Sequence, residues 1–193
     1  MYLPSMFRGE PALGWQLARE ESFGLLLFGD EVAPLPWLAD EAAGTLRGHA
    51  AAGNPAAALD GAAVRVVFSG PHGYVTPRWY AEPRAQVPTW NYVVAQAHGT
   101  IRRLSEDATR ALLRESCARF EPAEGGYDPS WIDPALHDRL LRAIVGLEVT
   151  VERMEVKLKL SQNRAPEDRR RVREGFAAAG AAALAAWMER LAR

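Results

Sequence analysis

The sequence predicts an α+β fold, in which an antiparallel β-sheet carries peripheral helices and an amphipathic helix follows at the C-terminal end. Runs rich in β-branched residues, with partly alternating apolar and polar side chains, recur along the chain between turn residues. A Gly-Pro-rich turn between two such runs indicates an antiparallel hairpin. Segments with apolar residues at helical spacing follow the longest strand and end the chain.

Four runs are the longer predicted strands. They are Ser22–Phe28, Ala62–Ser69, Trp90–Leu104 and Ala143–Glu155. A shorter strand, GTLRGHA, alternates so that Leu46 faces the core while Arg47 and His49 share the other face, which is the first indication of a site. The turn Gly70-Pro71-His72-Gly73 is expected to join Val64–Phe68 and Tyr74–Thr76 as a hairpin.

Three segments are predicted to be helical. Ser105, followed by two acidic residues, is expected to cap a helix over about residues 105–120. The Gly/Pro-rich loop EPAEGGYDPSW follows, and Asp133-Pro134 then begins a helix over about 133–142. From Pro166 onward the spacing of apolar residues predicts one amphipathic helix. Its cluster Arg169-Arg170-Arg171 lies beside acidic residues, so a solvated helix face is favoured over a phosphate site.

The length and composition of the chain are typical of one domain with an ordinary hydrophobic core. With 193 residues and 48% hydrophobic content, the chain needs no metal or disulfide to fold. A net charge of -1 provides no field for nucleic acid, so direct DNA binding is not expected. The single cysteine, Cys117, indicates a reducing compartment and a buried thiol. Without a signal-like start or an apolar run of about 18 residues, we expect a cytoplasmic protein with no membrane span.

Six segments in the same order resemble the PaiB-like family, the FMN-binding negative transcriptional regulators, whose fold is the split β-barrel also used by pyridoxamine-phosphate oxidases. They are MYLPSMFR at the start, GTLRGHAAAGNP, FSGPHGYVTPRWY, VPTWNYVVAQAHG, LLRAIVGLEV and KLKLSQNR. The resemblance implies that residues 1–165 form the barrel and that 166–193 pack on it as a helix. It also implies a homodimer with FMN in the groove between subunits, while haem in place of flavin, as in some barrel relatives, stays open.

The residues of these motifs suit such a ligand. FMN needs basic and hydroxyl or amide donors at its phosphate, apolar or aromatic walls for its ring, and donors and acceptors at its pyrimidine edge. Arg47 and His49 supply the first kind of group, Trp90 and Tyr92 the second, and Asn91, Gln162 and Asn163 the third. The candidate cofactor-binding residues are Arg47, His49, Asn54, Thr89, Trp90, Asn91, Tyr92, Lys159, Ser161, Gln162 and Asn163.

Several candidates have a second interpretation. Trp90 and Tyr92 share one strand face, which is also typical of core or dimer packing. Asn91 is unfavourable in a strand and indicates a specific hydrogen bond, either to a ligand or to a bulged backbone. Ser161 or Asn163 could instead cap the helix that begins at Pro166. His72 is either a flavin neighbour or a turn residue held by backbone bonds.

One segment departs from the family. Relatives usually carry a longer second strand with a Thr-His-Leu-Pro stretch, where this chain has Ala33-Pro34-Leu35-Pro36. Because Pro34 and Pro36 restrict strand pairing, the hairpin Leu25–Leu38 is predicted to be short and to lie at a sheet edge. If the missing Thr-His pair normally touches FMN, the cofactor affinity of this protein is lower.

Three functions stay open at this point. The leading one is an FMN-binding regulatory protein of the PaiB-like type, a transcriptional regulator that acts without assigned catalysis. The second is an FMN-dependent oxidoreductase with an unknown small substrate, for which no acid-base pair stands out beyond His49, His72 and His98. The third is a dimeric binding protein with a weakened flavin site.

Overall fold

Local sequence patterns account for most of the secondary structure. The computed structural model describes residues 1–127 and 131–191. Within these ranges the elements are β1 (Arg8–Gly9), α1 (Pro11–Glu21), β2 (Phe23–Phe28), β3 (Glu31–Asp40), β4 (Thr45–Ala51), β5 (Ala62–Val75), β6 (Thr89–Arg103), α2 (Glu106–Phe120), α3 (Pro134–Leu141), β7 (Ile144–Lys159), α4 (Pro166–Ala178) and α5 (Ala182–Arg190). Helix α1 and the two-residue strand β1 were not predicted from the sequence, although Pro11 occupies the first turn of α1 as expected for a helix start.

Six strands close into an antiparallel β-barrel, which confirms the predicted fold class. The strand order is β1-β7-β4-β3-β2-β5-β6, and β6 pairs again with β7. Strand β1 adds to the outer edge of β7, with Arg8 opposite Lys157. The pairing of β6 with β7 closes the sheet, which removes the two open edges that a flat sheet would have.

The chain divides into two compact units. The first unit contains Met1–Leu17, Ser69–Ala95 and Glu155–Arg193, and the second contains Ala18–Phe68 and Gln96–Met154. Each has its own set of buried apolar side chains. In the first unit these include Val75, Val93, Leu158, Val172, Phe176, Leu184 and Trp187. In the second they include Leu26, Trp37, Leu46, Val66, Phe68, Ile101, Leu112 and Leu147.

The two predicted helices of the second unit form where their caps indicate. The Ser105 hydroxyl accepts a hydrogen bond from the backbone N–H of Ala108 at the start of α2. The Asp133 carboxylate does the same for Leu136 at the start of α3. The predicted loop Glu121–Trp131 lies partly outside the described residues.

The side chain of Cys117 is half-buried, whereas a buried thiol was expected.

Strand β3 is longer than expected and lies between β2 and β4 in the strand order, which corrects the expectation of a short hairpin at a sheet edge, but each half of the strand pairs with a different neighbour. It has 10 residues and pairs with β2 over Glu31–Pro36 and with β4 over Trp37–Asp40. Pro34 and Pro36 therefore lie in the half that precedes the pairing with β4. A proline is tolerated there because its missing N–H removes no bond to a second neighbour.

The expected hairpin at Gly70–Gly73 is also wrong, since β5 runs without a turn from Ala62 to Val75. The glycines have another purpose. A Cβ atom on Gly70 would lie 2.6 Å from Leu17 Cδ1, and one on Gly73 would lie 2.5 Å from Phe176 Cε1. Composition typical of a turn thus marks positions where other elements approach the strand closely.

The C-terminal amphipathic segment is helical as predicted, but it forms two helices instead of one. Helix α4 ends at Ala178 and α5 begins at Ala182. Gly180 lies between them with a φ of +81°, a left-handed conformation that favours glycine. The break folds α5 back on α4, so that Val172, Phe176, Leu184 and Trp187 are all buried.

Candidate functional site

Exposed rings from β5 and β6 form a patch on the first unit, here called the aromatic face and defined by His72, Tyr74, Trp90 and Tyr92. The Trp90 side chain is 52% exposed. Its ring centroid lies 6.0 Å from that of Tyr74, edge to face, and 6.4 Å from that of His72. These are the separations of interacting aromatic pairs, so the rings form one continuous surface.

Strand alternation places these rings outside. In β6 the side chains of Asn91, Val93 and Ala95 are buried, and the even-numbered Trp90 and Tyr92 point the other way. In β5 the buried positions change from even to odd numbers between Gly70 and Val75, which turns His72 and Tyr74 outward. Trp90 is therefore not a core residue of the single chain.

The two lysines of the chain, Lys157 and Lys159, both lie at this face. Their Nζ atoms are 5.6 and 5.8 Å from the centroid of the Tyr92 ring. The Lys159 ammonium donates to Thr89 Oγ1 at 2.6 Å and to the carbonyl oxygen of Trp90 at 2.6 Å. Lys157 donates to the carbonyl oxygen of Tyr2 at 2.9 Å. Two cations are thus held beside exposed rings.

The electrostatics of Lys159 favour an anion. Partial burial lowers the pKa of its ammonium below the usual value of 10.5, and the positive charges of Lys157 and Arg164 lower it further. A negatively charged group bound at this point would offset both effects, because it stabilises the protonated form. The site therefore has the charge that a phosphate or carboxylate requires.

Asn91 and Ser161 lie beneath the face and are bonded to each other. They are 1% and 4% exposed. Asn91 Nδ2 donates to Ser161 Oγ at 3.0 Å and also approaches Met188 Sδ at 3.7 Å. Ser161 has a φ of +65°, which is uncommon for a residue other than glycine. In this arrangement the pair links the start of β6 to the segment that follows β7.

The remaining residues of the KLSQNR segment are partly engaged in local bonds. Gln162 Oε1 accepts from the backbone N–H of Leu160 at 2.6 Å, and Gln162 Nε2 donates to the carbonyl oxygen of Leu158. Asn163 is exposed. Ala165 is the N-cap of α4 and no side chain caps that helix, so the capping interpretation of Ser161 and Asn163 is wrong.

Three candidates belong to the second unit, where each has a defined environment. Arg47 forms a bidentate ion pair with Glu115, at 3.2 and 2.6 Å, and this hydrogen bonding raises the pKa of the guanidinium. His49 is half-buried, and burial lowers the pKa of its imidazole below 6.5. The Asn54 side chain accepts from the backbone N–H of Ala56 at 2.9 Å and caps a short 3-10 helix.

The structure thus brings together Thr89, Trp90, Tyr92 and Lys159 and places Arg47, His49 and Asn54 in the other unit. Tyr74 was not identified from the sequence as a member of the aromatic face, nor was Lys157 identified as a cation beside it. The occurrence of both lysines in one strand could have indicated Lys157. In the described part of the chain, no group of His, Cys, Asp or Glu is arranged to hold a metal, and no helix is long and apolar enough to cross a bilayer.

Solved structures share this fold. The flavocytochrome Anf3 from Azotobacter vinelandii superposes with a TM-score of 0.64 at 14% identity, over 84% of this chain and 74% of that one. The FAD and heme binding protein from Mycobacterium smegmatis has a TM-score of 0.58 at 20% identity, over 83% of this chain and 76% of its own. At these identities the similarity shows the fold alone.

Sequence comparison identifies the family. Residues 1–153 match the family described as "Putative FMN-binding domain". The chain is 34% identical over 181 residues to the protease synthase and sporulation protein PAI 2 of Bacillus subtilis, covering 87% of this chain and 85% of that protein. It is 36% identical over 166 residues to an uncharacterised protein of Emericella nidulans, covering 69% and 66%. The chain therefore belongs to the PaiB-like family of FMN-binding-domain proteins, as its motifs indicate.

Proposed function

We propose that this protein is an FMN-binding regulatory protein that acts as a homodimer, and that the aromatic face carries the flavin. One observation carries the proposal: the half-exposed ring of Trp90 lies beside Tyr74, and the Lys159 ammonium bonds to Thr89 and to the carbonyl oxygen of Trp90. An isoalloxazine ring needs an aromatic wall and a phosphate needs fixed cations, and both are present in one patch. The donor set therefore fits the cofactor.

Each residue has a separate task in this proposal. Trp90 and Tyr74 provide the ring wall, and Tyr92 supports the two ammonium groups. Lys159 binds the phosphate with Lys157, while Thr89 orients the Lys159 ammonium. Asn91 and Ser161 keep the two strand ends together beneath the face. When bound, FMN supplies an exchange of electrons or hydride that the side chains do not provide.

The candidates of the second unit contribute less directly to this proposal. Arg47 is neutralised by Glu115, and binding a phosphate there requires that ion pair to open. Asn54 uses its side-chain oxygen as a helix cap. His49 is largely neutral near pH 7, because burial lowers the pKa of its imidazole. The proposal therefore rests on the first-unit residues.

A homodimer is supported by the exposed apolar surface of the first unit. Large apolar side chains that would ordinarily be covered are exposed there: Tyr2, Met6, Tyr74, Val87 and Trp90. Isolated apolar residues on a surface are normal, but rings in mutual contact mark an interaction site. A second copy of the chain would cover this surface together with the flavin.

The regulatory role is supported by family membership, and indirect regulation is favoured by the charges. Arg170 is paired with Glu167 and Glu174, and Arg171 with Glu167, so two of the three arginines in the cluster Arg169-Arg170-Arg171 are neutralised. The net charge is -1. Neither feature suits a duplex footprint, which needs several free cations. We therefore propose that regulation follows the flavin state of the protein.

Flavin binding is tested by the visible spectrum of the purified protein and by titration with FMN. Trp90→Ala is expected to weaken FMN binding at least about fivefold, because stacking on an aromatic residue contributes on the order of 1 kcal/mol or more. Trp131→Ala is the matched control, since Trp131 is 68% exposed and belongs to the second unit. A colourless protein that ignores added FMN, or an equal loss in both variants, contradicts the proposal.

Two further measurements separate the functions. Light scattering during size-exclusion chromatography gives the mass, and a monomer at micromolar concentration would contradict the homodimer. Anaerobic bleaching of the bound flavin by a reduced nicotinamide would assign the protein to the FMN-dependent oxidoreductases instead. A flavin that resists such reduction supports the regulatory role.

A further inference from the structure

A cavity of about 270 Å³ lies in the first unit where the end of β7 meets α4 and α5. One wall is apolar and consists of Leu160, Pro166, Met188 and Leu191. The other wall carries Gln162 and three arginines: Arg170, which is ion-paired with Glu167 and Glu174, and the two arginines Arg169 and Arg173. A concave site with an apolar wall and a few convergent polar groups has the composition of a small-molecule site.

The two arginines are available for a ligand. They are four residues apart on α4 and so lie one turn apart on the same face. Both are half-buried. Among residues 1–127 and 131–191 neither guanidinium has a carboxylate partner, whereas the neighbouring Arg170 and Arg171 are paired with Glu167. Half-buried cations without counter-ions favour the binding of an anion.

The cavity is separate from the aromatic face. Lys157 and Lys159 point to that face, and strand alternation turns Leu158 and Leu160 to the other side, where both are buried. Gln162 bonds to the backbone of Leu158 and Leu160, which holds this strand end in place beside the cavity. All the lining residues also follow residue 153, where the match to the FMN-binding domain ends.

We propose that this cavity is a second ligand site, which binds a small organic anion made of one phosphate or carboxylate group on an apolar body. Each guanidinium offers paired N–H donors that match the two oxygens of such a group. The apolar wall would cover a ring or branched chain. With about 30 Å³ per water in the liquid, 270 Å³ corresponds to about nine waters, which is enough for one ring and one anionic group.

The test is calorimetric titration of the protein, with and without saturating FMN, using phenyl phosphate, benzoate, inorganic phosphate and phenol as probes. Phenyl phosphate or benzoate is expected to bind at least about tenfold more tightly than inorganic phosphate or phenol, because only the aryl anions use both walls. The stronger of the two aryl anions identifies the preferred charged group. The titration without FMN tests the cavity even if the protein binds no flavin.

Matched double variants test the residues. Arg169→Gln with Arg173→Gln is expected to weaken the aryl anion at least about tenfold. Arg65→Gln with Arg171→Gln removes the same charge at two residues outside the cavity lining and should leave binding within about twofold. Leu191→Ala is expected to reduce the preference for the aryl anion over inorganic phosphate. Thermal melting of the parent protein and the three variants checks that they fold.

Three results would overturn the proposal. The first is that no probe binds the folded protein. The second is an equal loss of affinity in the two double variants, which would show attraction by overall charge. The third is competition between FMN and the aryl anion for the same site, which would make the cavity part of the flavin site.

Discussion

The side chains of Asn91 and Ser161 are hydrogen-bonded to each other in both directions. Asn91 Nδ2 donates to Ser161 Oγ at 3.0 Å, and the Ser161 hydroxyl donates to Asn91 Oδ1 at 3.2 Å. The residues are 70 positions apart in the chain. Because both are buried, the pair satisfies polar groups that would otherwise be costly, and it supports the left-handed backbone of Ser161.

Removing both members of this pair should lower stability by less than the sum of the two single losses. Asn91→Ala and Ser161→Ala are each expected to cost about 1–3 kcal/mol, because each leaves a buried polar partner without its bond. The double variant should lose less than the sum, with a coupling of about 1 kcal/mol. Urea unfolding of the four proteins measures this. Additive losses would show that the two residues act independently.

Lysine labelling should locate the flavin. An amine-reactive reagent can modify Lys157, Lys159 and the N-terminal amine, since the chain has two lysines. Saturating FMN is expected to slow modification of Lys159 at least about fivefold, because a phosphate raises the pKa of the ammonium and covers it. Peptide mass spectrometry gives the rate at each amine. The Met1 amine, which pairs with Glu155, provides the internal reference.

His49 should make the protein less stable in acid. Burial lowers the pKa of its imidazole below 6.5, so below about pH 6.5 the unfolded chain binds a proton that the folded protein does not. Stability therefore falls as pH decreases through 6.5 and levels off below the pKa of the folded state. His49→Gln should lose less stability than the parent protein between about pH 8 and about pH 5 in urea unfolding.

His137→Gln is the control for that measurement, since the His137 side chain is 40% exposed. The control should follow the parent protein over the same pH range. If His49→Gln also follows it, the acid sensitivity arises elsewhere in the chain.

Gly73→Ala should destabilise the first unit. An added Cβ would lie 2.5 Å from Phe176 Cε1 and 3.1 Å from Leu184 Cδ2, so the packed side chains of α4 and α5 must shift. Overpacking of this kind typically costs about 1–3 kcal/mol. Gly53→Ala is the matched control, because nothing lies within 4 Å of its added Cβ. Thermal melting compares the two, and equal midpoints would show that the helices do not approach β5 so closely in solution.

Much of the fold could be predicted because the relevant patterns are local. Alternation identified the strands at Trp90–Leu104 and Ala143–Glu155, and Ser105 and Asp133 marked two helix starts. The same local reasoning failed at Gly70-Pro71-His72-Gly73, because glycine and proline occur both in turns and at close contacts. Sequence composition does not distinguish these uses, since the contacting residues are distant in the chain: Leu17 for Gly70 and Phe176 for Gly73.

The sequence by itself determined the strands at β6 and β7, the helix starts at Ser105 and Asp133, and the family, because each depends on short motifs in a particular order. It also separated the inward Asn91 from the outward Trp90 and Tyr92. Only the tertiary structure decided the environment of each candidate. Lys159 contacts Thr89 across 70 residues, while Arg47 is neutralised by Glu115 across 68. Charge, exposure and hydrogen-bond partners arise from such long-range contacts, so no local pattern specifies them.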